Sequence, residues 1–112
     1  MCGIAGFHLK HPGFVKRHDG VEAIVDQLFL GIENRGRRAT GFVAVTPAGK
    51  VVMDKAAVTA TEFIKDRDRI PEGVQTVLLH TRLDTQGSRD DHVNNHPVIY
   101  GTCFAIHNGH IT

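Results

Sequence analysis

Apolar positions in this chain fall into short alternating runs, interrupted by one stretch with helical spacing. Near the N-terminus Ile4, Gly6 and His8 alternate loosely with Gly3, Ala5 and Phe7, which predicts a short strand of small residues, broken by His11-Pro12-Gly13. From Val21 the period changes. Val21, Ile24, Val25, Leu28 and Ile32 recur at helical intervals, predicting a helix with one face on a core, Asp19 as its N-cap and Gly36 as its stop. Gly31 inside the run weakens its last turn by about 1 kcal/mol relative to Ala. Residues 41–46 and 50–54 read as two strands joined through Pro47-Ala48-Gly49, a hairpin. Thr59 followed by Glu62 has capping-box spacing and predicts a short helix carrying Phe63 and Ile64, ended by Pro71-Glu72-Gly73. Residues 75–79 read as a buried strand running into His80-Thr81-Arg82, residues 84–95 as a polar surface loop, and residues 102–106 as a last strand leading into His107-Asn108-Gly109.

Hairpin-length connections cannot serve parallel strands, so the pattern predicts an α+β fold with mainly antiparallel pairing. The chain stops at Thr112 just after a new β-like start, and the expectation is that residues 1–112 are the N-terminal part of a larger domain.

Composition narrows the function classes. At 112 residues and 41% hydrophobic content the chain can build one modest core, which excludes wholesale disorder. No apolar run approaches the roughly 18 residues of a membrane span. No basic segment precedes an apolar stretch at the N-terminus, so a secretory signal is not expected. Thirteen basic against twelve acidic residues, a balance of +1, is too little for an electrostatic nucleic-acid footprint. Two cysteines, Cys2 and Cys103, suit a reducing cytoplasm, the expected location.

Cys2 is the first candidate for chemistry. Removal of Met1 would leave a thiol and a free α-amine on one residue, a nucleophile with its own base, since an α-amine titrates near ~7.7–8.0. The bland reading is a buried free cysteine in a first strand. Arg82, at the end of a buried strand with Thr85 three residues on, could grip a carboxylate bidentately, though a lone arginine is more often an ordinary surface ion pair. Asn108-Gly109 offers the two donors an oxyanion hole requires, and is also the commonest tight-turn dipeptide. His92, His96, His107 and His110 lack a shared helical face, Pro97 follows His96 directly, and no zinc motif is matched, so no metal is expected. Arg35-Gly36-Arg37-Arg38 reads as a solvated basic helix end in preference to a phosphate site.

Taken in order, Cys2-Gly3-Ile4-Ala5-Gly6, Glu33-Asn34-Arg35-Gly36, Ala39-Thr40-Gly41, His80-Thr81-Arg82, Thr85-Gln86-Gly87, Asn95-His96-Pro97 and His107-Asn108-Gly109 form a series. That series resembles the glutaminase domain of class II glutamine amidotransferases, which are N-terminal-nucleophile hydrolases, most nearly the domain of glucosamine-6-phosphate synthase. The resemblance implies a four-layer αββα sandwich of antiparallel sheets, incomplete at its C-terminal end. It implies an enzyme, with Cys2 as the nucleophile, its amine as the base, and Asn108 with Gly109 as the oxyanion pair. Arg82, Thr85, Gln86 and His96 are then substrate-binding residues, and Arg35 with Gly36 shapes the loop behind the nucleophile. L-glutamine is the implied substrate, an ammonia-accepting synthase domain or subunit the implied partner, and no cofactor is implied. Leu83 departs from the aromatic residue usual after the arginine. The acidic residue the resemblance implies for binding the substrate amine is expected beyond Asn-Gly, past the point where this sequence stops, and Asp90 and Asp91 lie in the wrong segment to be it. The alternative is a non-catalytic relic of that fold acting as an interaction module.

Overall fold

The structure, a computed structural model, describes residues 2–11, 18–83, 97–100 and 103–106. Strand β1 (Gly3–His8) is followed by helix α1 (His18–Ile32) and a 3-10 turn (Glu33–Arg35). The hairpin strands β2 (Ala39–Val45) and β3 (Val51–Ala56) come next, then helix α2 (Ala60–Asp66) and strand β4 (Thr76–Arg82). Two short strands, β5 (Val98–Tyr100) and β6 (Cys103–Ala105), pair with each other.

Four strands form one antiparallel sheet in the order β1-β4-β2-β3. β4 lies inside it, with Thr81 opposite Gly3 on one side and Thr40 on the other. Alternation along each strand sends Phe7, Phe42, Ala44, Val77 and Leu79 to one face, and both helices pack there. From α1, Val21, Val25 and Phe29 complete that core; from α2, Ala60 and Phe63 do so. Three phenylalanine rings meet edge to face, Phe29 with Phe63 at 5.4 Å between centroids and Phe42 with each at 6.5 and 6.3 Å.

One charged group closes this core. Arg67, just past α2, donates from Nε and Nη2 to Asp26 Oδ1 at 3.0 and 2.9 Å, and Nη2 lies 2.7 Å from Glu22 Oε1. Its guanidinium also sits over the Phe42 ring, 5.9 Å from the centroid. Helix α2 ends at Asp66, where the Arg67 backbone turns extended (ψ 154°), earlier than the expected stop at Pro71-Glu72-Gly73.

At the sheet's opposite face the contacts come from the neighbourhood of β5 and β6. Lys55 Nζ donates to Pro97 O at 3.2 Å, and Ile106 shares an apolar hollow with Ile4, Gly6 and Leu78. The expected four-layer αββα sandwich is therefore corrected. Among the described residues there is one four-stranded sheet with two helices, both on the same face, and a separate pair of three-residue strands. The physical reason is that a short strand pair supplies neither the width of a second full sheet nor a second helical layer. Among the described residues no helix is long and apolar enough to cross a membrane.

Candidate functional site

Cys2 sits one residue ahead of β1. Because Gly3 opposes Thr81, the same register carried back one step sets Cys2 opposite Arg82, the last residue of β4. Directly opposed residues in an antiparallel pair point to the same side, with Cβ atoms roughly 4.5–5.5 Å apart. Sulfur and guanidinium thus leave the sheet on its helix-free face. The sulfur accepts a hydrogen bond from Leu83 N at 3.3 Å, and the thiol reaches Leu83 O at 3.7 Å. Both groups are largely covered, Cys2 at 9% exposure and Arg82 at 4%.

Two glycines allow this strand end to be packed so closely. A side chain at Gly3 would fall on the Thr81 hydroxyl and within 2.7 Å of Ile32 O. That space is needed because the Thr81 hydroxyl donates to Ile32 O at 2.9 Å, tying the end of α1 to β4. A side chain at Gly36 would fall on the Arg82 carbonyl carbon, 2.7 Å from Leu83 N, the same N–H that meets the Cys2 sulfur. Arg38 N donates to Arg82 O at 3.0 Å. The 36–38 segment therefore backs directly onto the backbone that holds the thiol.

Glu33 anchors that segment from behind. Its Oε2 accepts from Thr61 N at 2.6 Å and from the Thr61 hydroxyl at 2.7 Å, joining the 3-10 turn to the first turn of α2. The Thr61 hydroxyl first, then its N–H, holds the Glu33 carboxyl below its ordinary titration range; slight burial opposes this and Arg37 adds a little. Thr59 caps the same helix, its Oγ1 accepting from Glu62 N at 3.3 Å as the capping spacing predicts.

An open cleft of about 410 Å³ lies beside this strand end, lined by Asn34, Arg35, Gly36, Arg37, Arg38 and Leu83.

Of the residues singled out from sequence, Cys2 and Arg82 are brought side by side, with Arg35 and Gly36 in the loop next to them. Thr85, Gln86, His96, Asn108 and Gly109 lie outside the described residues, as do His92, His107, His110, Asp90 and Asp91. Among the described residues no group of three or more His, Cys, Asp or Glu side chains could hold a metal ion. Sequence reasoning missed the Leu83 N–H as a partner of the sulfur, and Glu33 with Thr61 as the anchor. Backbone donors leave no trace in residue identity. Gly3 and Gly36, each one position from a residue of interest, were the readable signal of close approach.

No family model matches the chain, and no curated protein matches it. A solved structure does, described as "Complex of beta-clamp processivity factor and little finger domain of PolIV", at a TM-score of 0.49 and 19% identity. The match covers 80% of this chain and 95% of that one. It is not to a glutamine amidotransferase, so the family resemblance drawn from the motifs is corrected. The structure supplies a physical reason for distrusting those motifs as a signature: Gly3 and Gly36 are accounted for by close packing, and Thr81 by its hydroxyl bond to Ile32 O. At this score and identity the match assigns no partner and no activity.

Proposed function

We propose that the chain hydrolyses the side-chain amide of glutamine to glutamate and ammonia through a thioester on Cys2, the ammonia passing to an acceptor-specific synthase. The supporting observation is the juxtaposition at one strand end of a thiol on residue 2 and a buried arginine. After loss of Met1 the Cys2 α-amine takes the thiol proton, and sulfur bonds to the carboxamide carbon, moving an electron pair onto oxygen. Asn108 and Gly109 are assigned the oxyanion, a stabilisation typically worth about 3–4 kcal/mol of barrier per donor. The tetrahedral adduct collapses with cleavage of the carbon–nitrogen bond, and the α-ammonium protonates the departing nitrogen. Water then adds to the thioester with the amine again taking a proton, which releases glutamate and restores the thiol. Arg82, with Thr85, Gln86 and His96, is assigned to the substrate's amino-acid end, Arg82 pairing with its carboxylate.

The test is threefold. Intact mass is expected to show Met1 removed; its retention would block the base and end the proposal. A glutamine-mimicking diazo-ketone is expected to add one equivalent at Cys2 and abolish ammonia release. Arg82→Ala is expected to raise KM for glutamine strongly while Cys2→Ala eliminates turnover. Folded protein, free of Met1 but neither labelled nor active, would leave an interaction module in place of an enzyme.

A further inference from the structure

We infer that the cleft beside Cys2 is a second ligand site, taking a phosphate monoester with its phosphate on Arg35, Arg37 and Arg38 and its organic part on Leu83. The volume, about 410 Å³, falls among those of small-molecule sites. Three of its six lining residues are arginines within four positions, in a chain whose overall balance is only +1. The positive charge is therefore concentrated here and is no by-product of general basicity.

Glu33, the acid in the same stretch, offsets this charge only in part. Glu33 directs Oε2 to Thr61 on α2, and its contact with Arg37 is a long 3.8 Å. Arg37 is steadied along the rim by donating from Nη2 to Asn34 Oδ1 at 2.9 Å, and its side chain stays 59% exposed. Gly36 contributes no side chain, so the cleft's inner wall is backbone packed on Arg82 and Leu83. Leu83 is 41% exposed, an apolar side chain lining the same cleft as the three arginines. Guanidinium forks match a phosphate dianion, and the leucine favours an organic substituent over bare phosphate. With no general positive charge, a long polyanion has little to track along.

The site is independent of amide hydrolysis and is tested on the full chain carrying Cys2→Ala. Phenyl phosphate and inorganic phosphate are titrated at constant ionic strength, followed by calorimetry and by the NMR signals of the arginine Nε–H groups. Saturable one-to-one binding is expected, tighter for phenyl phosphate. Arg35→Gln alone is expected to weaken it by about tenfold, and Arg37→Gln with Arg38→Gln by more, with the melting temperature recorded for each. Leu83→Ala is expected to bring phenyl phosphate down to the level of inorganic phosphate. Lys65→Gln with Arg69→Gln removes two cations elsewhere and is expected to change nothing. Non-saturable binding, equal loss in that control, or unchanged affinity in the arginine variants would each overturn the assignment.

Discussion

The two faces of the sheet are generated by one alternation and are held by different forces. The helix side buries Phe42, Val77 and Leu79 at 0% exposure against Val25 and Phe29, a core in which volume and shape decide the fit. On the other side Ile4 remains 47% exposed while His80 and Arg82 are covered at 1% and 4%. A buried polar group is costly unless hydrogen-bonded, and among the described residues no buried side-chain nitrogen or oxygen lacks a partner. There hydrogen bonds join apolar packing, since Val43 at 2% and Ala39 at 1% exposure share that side. The chemistry-bearing residues lie on the side where bonded polar groups add to the packing.

That contrast can be broken at either end. The largest effect is expected at the aromatic cluster: Phe29→Ala should cost about 3–5 kcal/mol by urea unfolding, since three rings lose their common contact. Arg67→Ala should cost about 2–3 kcal/mol in the same assay, below a fully buried pair because Asp26 is partly exposed. Arg67→Met, which keeps an apolar chain of similar reach while removing the guanidinium over Phe42, should recover part of it. Gly36→Ala strikes the strand end that holds Cys2. The added methyl meets Arg82 backbone, which cannot swing away as a side chain would, and the expected loss is about 2 kcal/mol. Labelling of Cys2 by a thiol reagent should change in this variant and stay unchanged in Phe29→Ala under conditions where both are folded. Equal responses would show that the two sides are not separable.

The smallest effect is expected at Glu33. Its carboxyl titrates lower in the folded chain than in the unfolded one because Thr61 binds the charged form. The stability it contributes is therefore fully present above the ordinary carboxylate range, near ~4.3, and is lost as pH falls through the folded value. Glu33→Gln should cost about 1 kcal/mol at neutral pH, comparable to loss of a helix cap, and should flatten the acid limb of a urea-midpoint profile.

How much of this was legible in advance varies by element. The period change at Val21 located α1, observed as His18–Ile32, and Pro47-Ala48-Gly49 located the turn between β2 and β3. Thr59 and Glu62 located the start of α2 through a local hydrogen bond. Its end was misplaced: the backbone turns extended at Arg67, whose side chain meets Asp26, more than forty positions away in sequence. The motif series assigned Cys2 and Arg82 different roles in one site, and the strand register sets them opposite each other; the four-layer architecture and the family attached to that series do not hold. Short motifs carry glycines for packing as readily as for catalysis, and only coordinates separate the two uses.

Residue order by itself determined where most strands, the β2–β3 turn and the start of α2 fall, because periodicity, caps and turn chemistry act over a few neighbouring positions; it missed β5 and set the start of α1 at an Asp19 cap where the helix already runs from His18. It also set the supply of chemistry: a cysteine at position 2, an arginine closing a strand, three arginines in one short segment. Tertiary structure alone decided which of these meet. Strand order β1-β4-β2-β3 brings residues 2 and 82 together, and the backbone at 36–38 lies against them for want of a side chain at Gly36. Such contacts join parts of the chain far apart in number, through backbone atoms that every residue shares, so no local pattern announces them.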